Sequence, residues 1–129
     1  TYGDWSSDVC SSDLLPAAAF EQWLTPLEAA VGIHAGDAET SLMLALLPDQ
    51  VKLHRAVAEY PPSFPPRSSL SWEGACPVAW MTRDLSQAGT IGDPTSASAE
   101  KGQAMLKALT MAWATLIEEI HHFAFPDRY

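Results

Sequence analysis

His34-Ala35-Gly36-Asp37-Ala38-Glu39-Thr40-Ser41 is the stretch on which the reading of this chain turns. Leu42, Met43, Leu46 and Leu47 follow it at helical spacing and Pro48 closes the run, so a helix is predicted over Ala38 to Leu47 with Asp37 as its cap. A histidine therefore stands just before a helix N-terminus, with a carboxylate in the first turn. Histidine titrates near neutral pH, and an adjacent carboxylate can orient it and stabilise its protonated form, so His34 and Glu39 are candidate acid–base residues. Gly36 allows a sharp backbone turn that would bring both side chains to one side, and Thr40 and Ser41 add hydroxyls at the same helix end. Residue types alone favour a blander role, since most His–Glu pairs at helix starts are caps or surface ion pairs. The spacing is not a metal signature either, because zinc helices place ligands at i and i+4 or use H-E-x-x-H.

Working outward, Leu15 to Val31 reads as two short helices divided at Pro26, with Thr25 capping the second, and Gly32 breaks the pattern. Asp49 to Ala58 suits a strand or a helical turn. Pro61, Pro62, Pro65 and Pro66 make an irregular loop, and apolar Cys76 to Met81 reads as a buried strand. Gly89, Gly92 and Pro94 mark a turn-rich loop in which Asp93 is expected to form a turn. A long helix is predicted from about Ala97 to His122, with Ser96 or Ser98 as cap and Glu100–Lys101 as a helix-start charge pair. Its core face is Met105, Leu106, Leu109, Ala112, Trp113, Leu116, Ile117 and Ile120. Adjacent His121 and His122 point in different directions and suit the helix C-terminus, and His54 is read as solvated beside Lys52 and Arg55.

With 129 residues, 47% of them hydrophobic and 18% charged, the chain reads as one globular domain or part of one. The net charge of −9 opposes nucleic acid as a partner, because phosphate binding needs a basic face. No apolar run approaches the roughly 20 residues of a membrane span, no signal peptide is visible, and Cys10 and Cys76 form no disulfide framework, so a reducing, cytoplasmic setting is expected. Residues 4 to 14, DWSSDVCSSDL, have no periodicity and agree codon by codon with one reading frame of a common short-read sequencing adapter. Residues 1–14 are accordingly read as artefactual, and 15–129 as a domain truncated on its N-terminal side.

His34 to Val51, HAGDAETSLMLALLPDQV, resembles the H-A-G-x-x-E-T-S-L-M-L motif of the creatininase family. A second stretch agrees in order, and in spacing from Asp84 onward, with Trp80 one residue further from Asp84 than the family pattern has it. Trp80, Asp84, Ser86, Gly89, Gly92-Asp93-Pro94, Ala97 and Glu100-Lys101-Gly102 are similar to the family's W-x-x-D-x-S-x-x-G-x-x-G-D-P-x-x-A-x-x-E-K-G. The resemblance covers Ala30 to His122. It implies an α/β fold, here the C-terminal part of a three-layer α/β/α domain with a mostly parallel sheet. It also implies a binuclear zinc or manganese centre that activates water for attack on an amide-type C–N bond of a small molecule, in a homo-oligomer such as a hexamer. The position of His34 then implies a proton shuttle and that of Glu39 a supporting acid–base group, with Gly36 and Trp80 as candidate substrate-binding residues. The family's metal-ligand motifs, E-x-H-G and N-G-H, are absent, and the chain contains no asparagine at all. No metal ligand is therefore expected within this segment, and the chain alone is expected to be inactive. Creatinine hydrolases carry a substrate-shaping tryptophan four residues before the histidine; here that position is Ala30, which argues against creatinine, although Trp23 could reach the site from another turn. Two rival readings are a creatininase-like peptidase of peptide-derived redox cofactor maturation and a non-catalytic helical interaction fragment.

Overall fold

Helix α1 spans Pro26–Val31. Thr25 caps it by accepting the Glu28 N–H at 3.1 Å, and Pro26 occupies the first turn, where a missing N–H costs nothing. These elements belong to a computed structural model that describes residues 19–73 and 76–124. Helix α2 spans Asp37–Leu46, the single turn α3 spans Thr82–Leu85, and α4 spans Ala99–His122. Short 3-10 turns at Glu21–Trp23, Pro48–Gln50, Leu53–Arg55 and Pro94–Ser96 link them. Ser98 caps α4 by accepting the Lys101 N–H at 3.2 Å.

One expected cap and one expected charge pair differ from the sequence reading. Gly36, not Asp37, is the N-cap of α2, and Asp37 is the first helical residue. Lys101 does not pair with Glu100. Its ammonium lies 2.6 and 2.8 Å from the two carboxylate oxygens of Asp37 and donates to the Ser96 carbonyl at 3.0 Å. Asp37 also accepts from Ser41 Oγ at 3.1 Å, and Ser41 Oγ in turn accepts the Ser98 N–H at 3.2 Å. A buried charged and hydroxylic network thus ties the start of α2 to the start of α4. Removing one member of such a pair strands the other, at a cost of about 3–5 kcal/mol.

The mostly parallel sheet is not formed among the described residues, which hold only isolated bridges. His34 pairs antiparallel with Ile91, Glu59 antiparallel with Gly92, and Ser71 parallel with Pro77. Cys76 to Met81 is not a buried strand: Met81 is 52% exposed, Val78 and Trp80 are half-buried, and Pro77 lacks the N–H a continuing ladder needs. Among the described residues the apolar core is small, comprising Leu85, Ile91, Ala97, Met105 and Leu109. Consequently α4 buries its predicted face only near its start. Leu106, Ala112, Trp113 and Leu116 are half-buried, while Ile117 and Ile120 are 60% and 64% exposed. His121 and His122 are in edge contact, with ring centroids 5.0 Å apart, although the sequence reading aimed them apart.

Gly102 lets α4 cross α2 closely, since a Cβ there would stand 1.9 Å from the Ser41 carbonyl oxygen and 3.0 Å from Ala45 Cβ. Alanine is the better helix former by about 1 kcal/mol, but here it meets backbone that cannot move aside. Gly102→Ala is expected to lower stability by about 1–3 kcal/mol, read as a lower urea midpoint.

Candidate active site

The imidazole of His34 sits at the entrance to α2, with Nδ1 3.8 Å from Glu39 Oε2. Both side chains are 57% exposed. Glu39 lies three residues beyond the cap of α2, where a negative charge is favoured by the helix dipole, and its carboxylate reaches back to accept the Ala35 N–H. Thr40 Oγ1 donates to the Ala35 carbonyl at 3.2 Å. The sharp turn between the two residues falls on Ala35, whose φ is +51°, and not on Gly36, whose φ is −81°. A non-glycine residue in this region stores about 1–3 kcal/mol and persists only when its surroundings fix it from several sides.

His34 is held by backbone pairing. The Ile91 N–H donates to its carbonyl at 2.7 Å, and the N–H groups of Ile33 and His34 donate to the Ile91 carbonyl at 2.7 and 3.0 Å. Gly92 and Glu59 exchange bonds of 2.7 and 3.0 Å on the other side. The Glu59 carboxylate then gathers the 86–88 turn, accepting from Ser86 Oγ at 2.7 Å, Gln87 N–H at 2.9 Å and Ala88 N–H at 2.9 Å. These donors, the Gln87 amide foremost, hold its carboxyl below its usual 4.5. Asp93 accepts the Thr95 N–H at 2.9 Å and so forms the turn expected of it.

Glu28 is the residue that sequence reasoning passed over. It is 4% exposed, yet its carboxylate accepts three hydrogen bonds: from Asp37 N–H at 2.6 Å, Asp93 N–H at 2.8 Å and Tyr60 OH at 3.0 Å. Gly36 and Gly92 pack against it, and a Cβ on Gly36 would stand 1.9 Å from Glu28 Oε1. The available signal was a glutamate placed so that α1 carries it toward two glycines distant from it in sequence, which no local pattern announces. Burial, followed by the hydrogen bond and charge of Glu28 and the charges of Asp93 and Asp37, pushes the Tyr60 phenol up from 10.0 to about 12.

Trp80 is half-buried and donates its indole N–H to the Trp72 carbonyl at 2.9 Å. Neither Trp80 nor Gly36 is among the residues lining a cavity of about 250 Å³ beside α1, which include Ala30, Ile33, Phe64, Ser71 and Trp72. Phe64 and Trp72 pack there as a tilted pair, with centroids 4.4 Å apart. Trp23 is half-buried in its 3-10 turn, and His54 is exposed as expected. Among the described residues, no three His, Cys, Asp or Glu side chains converge as a metal-binding group. His34 and Glu39 supply two donors, so the described residues at this position do not by themselves fit a metal centre.

A family profile described as creatinine amidohydrolase matches residues 7–117. The chain belongs to the creatininase family. The match begins inside the stretch read as adapter-derived, which lies outside the described residues. A creatinine amidohydrolase of Pseudomonas putida is 38% identical over 86 residues, 67% of this chain and 30% of the relative. A creatininase variant of the Zn–Zn type is 35% identical with a TM-score of 0.55, over 79% of this chain and 37% of that one. A manganese form of creatininase is 33% identical with a TM-score of 0.55, over 79% of this chain and 37% of that one. The chain therefore spans about a third of the length of these relatives, with a creatininase-like fold, and its family assignment is that of a hydrolase. No helix among the described residues is long and apolar enough to cross a membrane.

Both shifted groups give pH signatures with definite signs. The depressed Glu59 carboxyl contributes stability above pH 4.5 and loses it as pH falls through the folded-state value. The difference in urea midpoint between the native chain and Glu59→Gln is expected to be constant near neutrality and to shrink on acidification below pH 4.5. The raised Tyr60 phenol contributes fully below pH 10 and loses that contribution as pH rises through about 12. Tyrosinate absorbance should show a late-titrating phenol that is lost in Tyr60→Phe.

Proposed function

We propose that this segment supplies the acid–base face of a metal-dependent amidohydrolase that cleaves a non-peptide C–N bond in a cyclic amide or formamide. The observation that supports this most is the approach of His34 Nδ1 to Glu39 Oε2, 3.8 Å, on a strained turn at the start of a helix. In this reading His34 gives a proton to the departing nitrogen, and Glu39 orients the imidazole and stabilises its protonated form. Both side chains are open to an approaching substrate. The Zn–Zn and manganese forms among the relatives favour divalent ions in the complete enzyme, with ligands from outside this segment. Ala30 lines the cavity beside α1 where creatinine hydrolases are expected to place a tryptophan, which favours an amide other than creatinine. Gly36 and Trp80 are retained as candidate substrate-binding positions, a homo-oligomer as the assembly, and the cytoplasm as the location.

A second reading, a non-catalytic helical interaction fragment, draws on the distal face of α4, where Ile117 and Ile120 are more than half exposed. The family's peptidase branch is distinguished from the small-amide branch by substrate. The decisive experiment extends the reading frame into genomic DNA upstream of Leu15 and expresses it with zinc or manganese. Creatinine, a formylated pyrimidine and short peptides are then assayed. The extended frame is expected to encode the E-x-H-G and N-G-H motifs and to hydrolyse a non-peptide amide, whereas the 129-residue chain with added metal turns over none of them. His34→Ala should lower kcat by about 10²–10⁴-fold with KM little changed, and Glu39→Gln by less. Full activity in His34→Ala would discard the acid–base assignment in favour of the interaction reading.

A further inference from the structure

We infer that Glu28 is a positioning residue for the His34–Glu39 pair, an inference that rests on the acid–base reading of that pair. The two side chains ride on different supports. Glu39 is carried by α2, whose first N–H, that of Asp37, is bonded to Glu28 Oε1. His34 is carried by its backbone pairing to Ile91, and two residues further on the Asp93 N–H is bonded to Glu28 Oε2. One carboxylate therefore fixes both supports. Ala35, the residue that joins them, is held with φ +51° between two fixed ends.

The arrangement is reciprocal. Gly36 caps α2 without a side chain, so the buried first N–H of the helix is satisfied from α1 by Glu28. A Cβ on Gly36 would meet that same carboxylate at 1.9 Å, and one on Gly92 would lie 2.7 Å from it and 2.9 Å from Gly36 Cα. The site needs an acceptor at both oxygens, because each receives a backbone N–H. Glutamine presents one oxygen and one NH₂, so whichever way its amide is turned, either Asp37 or Asp93 faces a donor. Tyr60, whose hydroxyl is also bonded to Oε2, keeps the carboxylate turned toward both loops.

Amide exchange and chemical shifts in the isotopically labelled chain test this without turnover. Glu28→Gln is expected to speed exchange at Asp37 or Asp93 by about tenfold or more, the cost of an unmet buried bond. The Ala35 amide, bonded to Glu39, should move upfield and exchange faster, and the His34 ring signals should shift. The buried Met105 methyl should stay in place, showing that α2 and α4 still pack. Ala35 and His34 signals that hold still while Asp37 or Asp93 loses protection would reduce Glu28 to a structural cap and overturn the inference. Should Glu28→Gln unfold the chain, Tyr60→Phe decides the matter, since it removes one bond and leaves both amides. It is expected to move the same Ala35 and His34 signals by less, and unmoved signals overturn the inference. The outcome is independent of His34→Ala kinetics, on which the acid–base reading stands, so the two can fail separately.

Discussion

A buried carboxylate with no cationic partner among the described residues must be satisfied by directed hydrogen bonds, and that requirement at Glu28 shapes the centre of this structure. Leaving such a group with an unmet bond costs about 1–3 kcal/mol or more, so its three donors are constraints on where their segments can lie. The first turn of α2, the Gly92–Asp93 turn and the Tyr60 segment all converge on it. Glycine at 36 and 92 is the steric consequence, because the carboxylate fills the volume in which a side chain would begin. The helix start that carries Glu39 and the 91–93 segment that pairs with His34 are thereby brought into register from positions far apart in the chain.

A second polar cluster extends this constraint to α4. Asp37 lends its N–H to Glu28 and its carboxylate to Lys101, so one residue belongs to both networks. Ser41 continues the link to the cap of α4, and the absence of a side chain at Gly102 allows the helices to approach. The apolar core near this crossing is slight, with Met105 and Leu109 as the contribution of α4. Polar satisfaction and close backbone contact thus hold these elements where a larger protein would rely on buried hydrophobic area. The exposure of Ile117 and Ile120 on α4 agrees with a chain that spans about a third of the length of its relatives.

The candidate acid–base pair differs from these clusters in character. His34 and Glu39 are open to solvent, where a side-chain contact of 3.8 Å contributes little to stability. Their geometry is maintained by the backbone: the pairing of His34 with Ile91, the Glu39 contact to the Ala35 amide, and the left-handed turn at Ala35. In the proposed acid–base reading, both groups are open to a substrate while the backbone that carries them is held from several sides.

Local signals were legible in the sequence, because helix propensity and capping depend on near neighbours. Thr25, Pro26, Ser98 and the bounds of α2 and α4 were read within a few residues, and the H-A-G motif placed the chain in its family. Tertiary contacts decided the rest. Asp37 read as a cap because an aspartate before a helical run usually is one, but a lysine 64 residues away claimed its carboxylate. Gly36 read as the flexible hinge, but it is required for closeness to Glu28, and the hinge is Ala35. The apolar run at 76–81 suggested a buried strand, yet a strand exists only through neighbours that pair with it and a layer that covers it. The residue types and their spacing fixed what chemistry was available, while the long-range hydrogen bonds of Glu28 determined which groups meet, since a directed bond between distant segments leaves no periodicity in the chain.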